Sequence, residues 1–501
     1  MKTTIALLSI ILIGALLRLY SLGELPRGIY VDEASIGYNA WSILHSGKDE
    51  HHKAYPLTFQ AFGEYKLPVY IYSSIPFIAI FGLNGISVRL VSALAGIIAV
   101  YGIYLLTIEI SRRKATSLIA AALFALSPWS IHLSRGGFEA NLGLTLIIFG
   151  TYFFLIYTNR NKSAQYLIYS GILYILALYT YNAERIFLPL LLLSLIILFR
   201  KNIFEQAKRN QSVIFILTIV VVIVTALTSS LIGSESTRVQ QVMDFENKQY
   251  VLGPFLGVIQ KYFVNFSPDF LFFSGDLFAR HSVRELGELY LPQLPFLLVG
   301  LFLVCRSRTK ELILLLIWLV LSPIPAAIAT PVPHALRALL MLPPLTIITA
   351  LGLEHSRAFF MPRARYIFMP IVSIIFAYSL FTYVHVYYNH YVYKTSWDWN
   401  ENKSLVAQAL VTSYPDANKI LIETDPESII YIKFFNASRN RTTDISRYYL
   451  TTDLSQVRPQ DGDIVAINGW KGTPEQLKNV TELKMLNSSI GFKVGEWKNN
   501  E

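Results

Sequence analysis

Long apolar runs separated by short polar segments repeat along the chain from Thr3 to Tyr388. Most are long enough to cross the roughly 30 Å hydrocarbon core of a bilayer as a helix. Helices are expected near residues 4–20, 86–110, 116–133, 138–158, 165–181, 186–199, 212–231, 292–305, 311–329, 336–353 and 366–388, about 11 spans in all. One further run, from Leu67 to Phe81, is short and interrupted by Pro68 and Pro76, and reads as an amphipathic helix lying on the membrane. Beyond Thr395 the pattern changes to short alternating runs. Helical periodicity covers 402–413 and 427–435, and short apolar strands are expected at 419–423, 463–467 and 492–497. The expected organisation is a mainly α membrane domain over residues 1–390, with a first external loop at 22–85, followed by a small α/β domain over 391–501.

Composition agrees, with 53% hydrophobic and 15% charged residues, far from a soluble domain. The net charge of +10 suits nucleic acid only until its distribution is read. Lys and Arg cluster in short loops: Arg112-Arg113-Lys114, Arg160 with Lys162, Arg200-Lys201, Arg306 with Arg308, and Arg357 with Arg363. That is the footprint of the positive-inside rule, so the charge sets topology and implies no nucleic-acid partner. With Lys2 in the cytoplasm every strongly basic loop falls inside, provided the 67–81 run does not span. The chain is therefore expected to be a multi-pass protein of the cytoplasmic membrane, its N-terminus cytoplasmic and its C-terminal domain extracytoplasmic. The single Cys305 excludes a disulfide framework or thiolate cluster within one chain. No small-residue cleavage site follows the first run, which is expected to remain as an anchor.

Sorting the loops places the candidate chemistry outside. Asp32 and Glu33, beside a low-dielectric surface, suit proton abstraction; Asp32 as the cap of a helix starting at Ala34 fits the pattern equally well. Lys66, in Gly63-Glu64-Tyr65-Lys66-Leu67-Pro68, would sit at interface depth, as a snorkelling lysine or a phosphate ligand. Arg135 and Glu139 flank two glycines that permit close backbone approach to a ligand. His334 and Arg337 follow two prolines at a helix start, where two cations and the helix dipole favour an anion. Arg89 near the outer end of the second span adds another cation. No nucleotide-binding loop and no metal-ligand spacing is legible, so no metal or cofactor is expected. Carboxylates to activate a hydroxyl, with cations to hold an anion, suit displacement at a carbon bonded to a phosphate leaving group.

The segments Leu17-Arg18…Asp32-Glu33-Ala-Ser-Ile-Gly-Tyr38, Lys66-Leu67-Pro68-Val-Tyr-Ile-Tyr72, Val88-Arg89-Leu-Val-Ser-Ala-Leu-Ala-Gly96 and Ser127-Pro128-Trp…Ser134-Arg135-Gly-Gly-Phe-Glu139 resemble membrane glycosyltransferases of the GT-C fold. The likeness is to glycosyltransferase family 39, with its protein O-mannosyltransferases, and to the aminoarabinose transferase of lipid A. It covers roughly the first 190 residues. The resemblance implies a polyprenyl-phosphate sugar donor, inverting transfer and no metal. It assigns Asp32 as the base, with Glu33 shaping the loop beside it, and Lys66 to the donor phosphate. Glu139 falls where relatives carry a second functional acid. Arg89, Arg135, His334 and Arg337 are the remaining expected phosphate ligands, and Tyr38, Tyr65, Tyr181 and Arg185 the expected cavity lining. Two features depart from the pattern. The second motif reads Lys-Leu-Pro rather than Lys-Pro-Pro, and the extra soluble repeats of eukaryotic protein mannosyltransferases are missing.

The expected function is thus transfer of a sugar from a polyprenyl-phosphate carrier to an acceptor hydroxyl of a lipid, glycan or protein on the outer face, among membrane lipids. Two alternatives compete. One is a metal-dependent, oligosaccharyltransferase-like enzyme with a lipid-pyrophosphate donor. The other is a lipid or sugar transporter, against which the ionisable residues gather at one face rather than at the bilayer midplane.

Overall fold

The computed structural model describes residues 2–160, 163–209, 253–359, 362–453, 457, 459–468, 480–485 and 492–498. The expected span at 212–231 lies outside them. Among the described residues, seven helices are long and apolar enough to cross a membrane, or eight if one bent pair counts as a single span. The chain is a multi-pass, mainly helical protein, and among the described residues several of the expected apolar runs form short or broken helices.

The helices follow in the order α1 (Lys2–Leu19), α2 (Val31–Ser46), α3 (Pro68–Phe81), α4 (Gly85–Ser111), α5 (Lys114–Leu126), α6 (Pro128–Ser134), α7 (Glu139–Asn159), α8 (Ala164–Leu178) and α9 (Glu184–Arg209). Then come α10 (Gly253–Val264), α11 (Leu294–Arg306), α12 (Lys310–Leu321), α13 (Ile324–Ile328), α14 (Ala335–Ala338), α15 (Leu342–Phe359) and α16 (Pro362–Val386). The run expected as one span at 116–133 is α5 and α6, bent by 54°. Pro128 has no N–H for the helix ladder, and Ser127 restarts it by accepting the Ser130 N–H. The first and last spans bury only 17% and 11% of their residues, so side chains such as Leu8, Leu12, Ile374 and Phe381 are exposed. Such apolar surface is stable only against lipid. Helix α3, at 14 residues, is about 21 Å long, shorter than the hydrocarbon core of a bilayer.

By its internal contacts the chain divides into two units. The helical unit comprises Met1–Tyr20, Leu57–Tyr70 and Val91–Tyr391. The mixed unit comprises Ser21–Pro56, Ile71–Leu90 and Val392–Glu501. In the helical unit a two-stranded hairpin, β1 (Phe59–Ala61) and β2 (Glu64–Lys66), turns at Phe62 and Gly63, both with positive φ (52° and 75°). That is the geometry two-residue hairpin loops select, and glycine tolerates it without strain.

The C-terminal part of the mixed unit is a five-stranded sheet in the order β4 (Tyr448–Thr451), β3 (Ile420–Glu423), β5 (Ile464–Asn468), β7 (Phe492–Trp497), β6 (Val480–Met485). The first three strands are parallel and the last two pair antiparallel. Leu421, Val465, Ile467 and Trp497 form a core cluster in it. Helices α17 (Glu401–Ser413) and α18 (Ile429–Ala437) complete the expected α/β arrangement, and α18 packs on α2. The sequence reading places three of these strands and both helices. It misses β4 and β6, whose mixed polar patterns carry no alternation strong enough to read.

Helices α11 and α15 cross backbone to backbone. A Cβ at Gly300 would collide with the Ile348 carbonyl, and one at Gly352 with the Phe296 carbonyl. Small residues are the means by which membrane helices approach backbone to backbone. Gly300→Val or Gly352→Val should therefore push these helices apart and cost about 1–3 kcal/mol. The check is the thermal unfolding midpoint in detergent, which should fall for both, while the conservative Leu298→Ile on the exposed face of α11 should leave it unchanged.

Candidate active site

In the mixed unit the acids are set by the start of α2. The helix begins at Val31, so Asp32 and Glu33 occupy its first turn, where the dipole favours carboxylates. The capping role expected of Asp32 belongs instead to Glu33, whose Oε2 accepts the Tyr30 N–H at 3.0 Å. Glu33 is 3% exposed and meets the fully buried Arg89 as a fork, with Nε–Oε1 at 2.8 Å and Nη2–Oε2 at 2.9 Å. The other Arg89 donors go to the carbonyls of Leu22 (3.1 Å), Pro26 (2.9 Å) and Gly28 (2.7 Å). A guanidinium has five N–H groups, and all are committed here. Arg89, expected at a donor phosphate, is thus a clamp on the backbone of residues 22–28, because Glu33 and three carbonyls already supply its acceptors. Glu33, considered as a base, is held in an ion pair and positions the loop.

Asp32 itself is half-buried. The backbone beside it is tethered by Asn400, whose Oδ1 accepts the Val31 N–H at 3.4 Å and the Tyr431 hydroxyl at 3.2 Å. Tyr38, one of the expected lining residues, stacks on Trp41 and lies 5.6 Å from the Lys433 ammonium. Burial, and secondarily the Glu50 charge, push its hydroxyl pKa up.

In the helical unit Lys66 ends β2 opposite Phe59, with Tyr65 half-buried next to it. Lys66 is 7% exposed and lies 3.8 Å from Glu64. It is a buried cation on a hairpin rather than a snorkelling one. Just after it, the Val69 N–H donates to the Tyr179 carbonyl at 3.2 Å, which fixes the start of α3 beside the turn preceding α9. In that turn Tyr181 hydrogen-bonds Arg337 and lies close to Glu184 and Glu139. Burial chiefly pushes the Tyr181 hydroxyl pKa up; Arg337 opposes this and the two acids add to it. Arg337 also donates to the Thr330 carbonyl at 3.2 Å. Glu139, Tyr181, Glu184 and Arg337 therefore converge from the start of α7, the 179–183 turn, the start of α9 and α14. Glu184 reads from sequence as part of an ordinary turn. Yet it is buried against Gly143 and its Oε2 has no hydrogen-bond partner, which marks a built polar site. Arg185 donates to the Leu178 carbonyl at 3.1 Å and closes the same turn.

Two other expected phosphate ligands have different partners. Arg135 is fully buried and donates to the Leu17 (2.9 Å), Arg18 (3.3 Å) and Tyr20 (2.8 Å) carbonyls and to the Tyr387 hydroxyl (3.1 Å). It caps the C-terminal end of α1, whose last carbonyls have no intrahelical donors. His334, expected as a cation beside Arg337, lies 3.9 Å from Asp276 and stacks on His281, ring centroids 4.5 Å apart. Burial, with the neighbouring His281 and Arg337, holds its pKa well below the usual histidine range, so it is neutral at pH 7. It is an imidazole here, not an anion-binding cation. Burial chiefly pushes the carboxyl pKa of its partner Asp276 up, and the hydrogen bonds from the Phe278 and Ala335 N–H groups oppose this. Asp276 and His281 stand five residues apart in the irregular segment after residue 273, and nothing local to His334 indicates that it joins them.

With the geometry in place, comparison with known proteins agrees with the resemblance read from the motifs. Residues 66–228 match the family model described as dolichyl-phosphate-mannose-protein mannosyltransferase. A search of curated proteins finds no match. Among solved structures, ArnT from Cupriavidus metallidurans in the apo state is similar over 98% of this chain and 97% of its own, with TM-score 0.60 and 12% identity. The same protein bound to undecaprenyl phosphate gives TM-score 0.58 at equal coverage and identity. The archaeal oligosaccharyltransferase AglB from Archaeoglobus fulgidus, in complex with an inhibitory peptide and a dolichol-phosphate, is similar over 90% of this chain and 64% of its own, with TM-score 0.54 and 15% identity. The protein shares the fold of these structures, the GT-C fold expected from the motifs.

The ion pair yields a direct test. Removing one partner of a buried pair leaves the other charge uncompensated and costs roughly 3–5 kcal/mol. Glu33→Gln should lower the thermal midpoint clearly, and Arg89→Lys should lower it at least as far, since lysine replaces five donors by three and loses the fork.

Proposed function

We propose that the protein is an inverting glycosyltransferase that moves a sugar from a polyprenyl-phosphate carrier to an acceptor hydroxyl on the outer face of the cytoplasmic membrane. The observation that carries this reading is the ArnT-like fold along nearly the whole chain, one solved example of which holds undecaprenyl phosphate. In the proposed reaction the acceptor oxygen attacks the anomeric carbon as its proton passes to the Asp32 carboxylate. The bond from that carbon to the phosphate oxygen breaks, and its electron pair leaves on the polyprenyl monophosphate. Lys66 and Arg337 are the cations we assign to the departing phosphate, where stabilising charge lowers the barrier most. Arg89, Arg135 and His334 are withdrawn from that role for the reasons given above. Glu139, with Glu184 and Tyr181, is assigned to holding hydroxyl groups of the sugar or acceptor. The transfer itself is proposed to need no metal.

The basic loops support a cytoplasmic N-terminus and an extracytoplasmic C-terminal domain. A reporter fused to the C-terminus should be active only outside the cytoplasm, and cytoplasmic activity would overturn the placement.

The central experiment incubates the purified protein with a panel of polyprenyl-phosphate sugars and identifies the released sugar and its acceptor by mass spectrometry. Asp32→Asn should lower turnover by roughly 10²–10⁴-fold while leaving the thermal midpoint near that of the wild type. Lys66→Met should raise the apparent KM for the donor by roughly tenfold or more, the loss expected for one charge-assisted bond. Normal turnover by Asp32→Asn would refute the assignment of the base.

A further inference from the structure

Residues 274–290 form no helix or strand, yet Asp276, His281, Ser282, Val283 and Glu288 within them are buried. Irregular backbone is seldom buried without something to fix it. The segment is docked by a few polar contacts: the Glu288 carbonyl accepts the Trp129 N–H at 3.4 Å, and the Arg280 carbonyl lies 2.9 Å from His132 Nε2. At its centre is a group of side chains that the transfer chemistry does not use. Asp276 Oδ2 lies 3.2 Å from His281 Nδ1 and 3.9 Å from His334 Nδ1. The three ligand atoms all fall within 4.8 Å of one another. His334 Nδ1 has no hydrogen-bond partner although the residue is only 6% exposed.

We propose that Asp276, His281 and His334 form a binding site for a zinc-type divalent ion that fastens the 274–290 segment to the turn before α14. A tetrahedral ion with ligand bonds near 2.0–2.1 Å needs ligand atoms roughly 3.4 Å apart, and the two measured separations bracket that edge. Two imidazole nitrogens and one carboxylate oxygen are the donor set zinc favours, and calcium and magnesium do not. An ion would engage the orphaned His334 Nδ1, which costs free energy as it stands. The carboxylate is already oriented: its Oδ1 accepts the Phe278 N–H at 2.8 Å and its Oδ2 the Ala335 N–H at 2.6 Å. Backbone donors that aim a ligating carboxylate are the usual outer support of such sites. Glu288 is a further buried donor beside Asp276, with its Oε1 unbonded. The ion's role is to hold backbone: Ala335 opens α14, the helix that carries Arg337. The site does not depend on the glycosyltransferase reading.

Full-length protein in detergent, purified without a polyhistidine tag or chelator, should carry about one zinc per chain by elemental mass spectrometry. Wild type stripped with chelator should regain thermal stability on adding zinc and not on adding magnesium. Cobalt(II) added instead should give the visible absorption of a four-coordinate nitrogen–oxygen site, and His334→Gln and Asp276→Asn should each lose it. Stripped wild type that takes up neither zinc nor cobalt would overturn the proposal even if both variants fail to fold. An unchanged cobalt spectrum in a folded His334→Gln protein would also overturn it. All these readings are made without sugar donor, so failure of the metal site and failure of the transfer reaction are told apart.

Discussion

The buried fork between Arg89 and Glu33 is the constraint on which the mixed unit depends. Taking both charges out of water costs several kcal/mol per ion, and the cost is met only if every donor and acceptor is used. Here every donor of the guanidinium is used, and three of the acceptors are backbone carbonyls of the irregular segment 22–28. The pair therefore does two things at once. It satisfies carbonyls that no helix or strand would otherwise serve, and through Glu33 it pins the first turn of α2. Asp32, the next residue, takes its place from that arrangement.

The same logic recurs in the helical unit with different arginines. Arg18 donates to the Gly14 and Ala125 carbonyls and to the Ser130 and Ser134 hydroxyls, and so serves the backbone where α5 breaks before α6. Arg135 serves the last carbonyls of α1. In a protein surrounded by lipid, a broken or ending helix has no water to complete its hydrogen bonds, and a long side chain with several donors is an effective substitute. Three arginines near the expected reaction face are thus part of the framework. The phosphate assignment consequently rests on Lys66 and Arg337.

Much of the fold was legible because hydropathy reports burial against lipid directly. The helices expected near 4–20, 86–110 and 138–158 agree with α1, α4 and α7 within a few residues. The break at Ser127-Pro128 and the short α8 were less legible, since an apolar run looks the same whether the helix within it is straight or bent. The hairpin carrying Lys66 was hidden by its length of three residues per strand. At the site, the sequence shows which residues can carry charge but not which acceptors reach them. The partners of Arg89 lie 56 to 67 residues away, and several are carbonyls, which every residue has. Likewise nothing near His334 announces Asp276. Residue type could be read; the assignment of each cation to ligand or framework required the three-dimensional contacts.

The most direct test of the account is the identity of the lipid released in a single turnover, measured by mass spectrometry on purified wild type and Asp32→Asn with the same polyprenyl-phosphate sugar. The account predicts polyprenyl monophosphate from the wild type, formed with inversion at the sugar carbon, and little or none from Asp32→Asn at unchanged thermal stability. Turnover only with a pyrophosphate-linked donor, or equal release from both proteins, would contradict it.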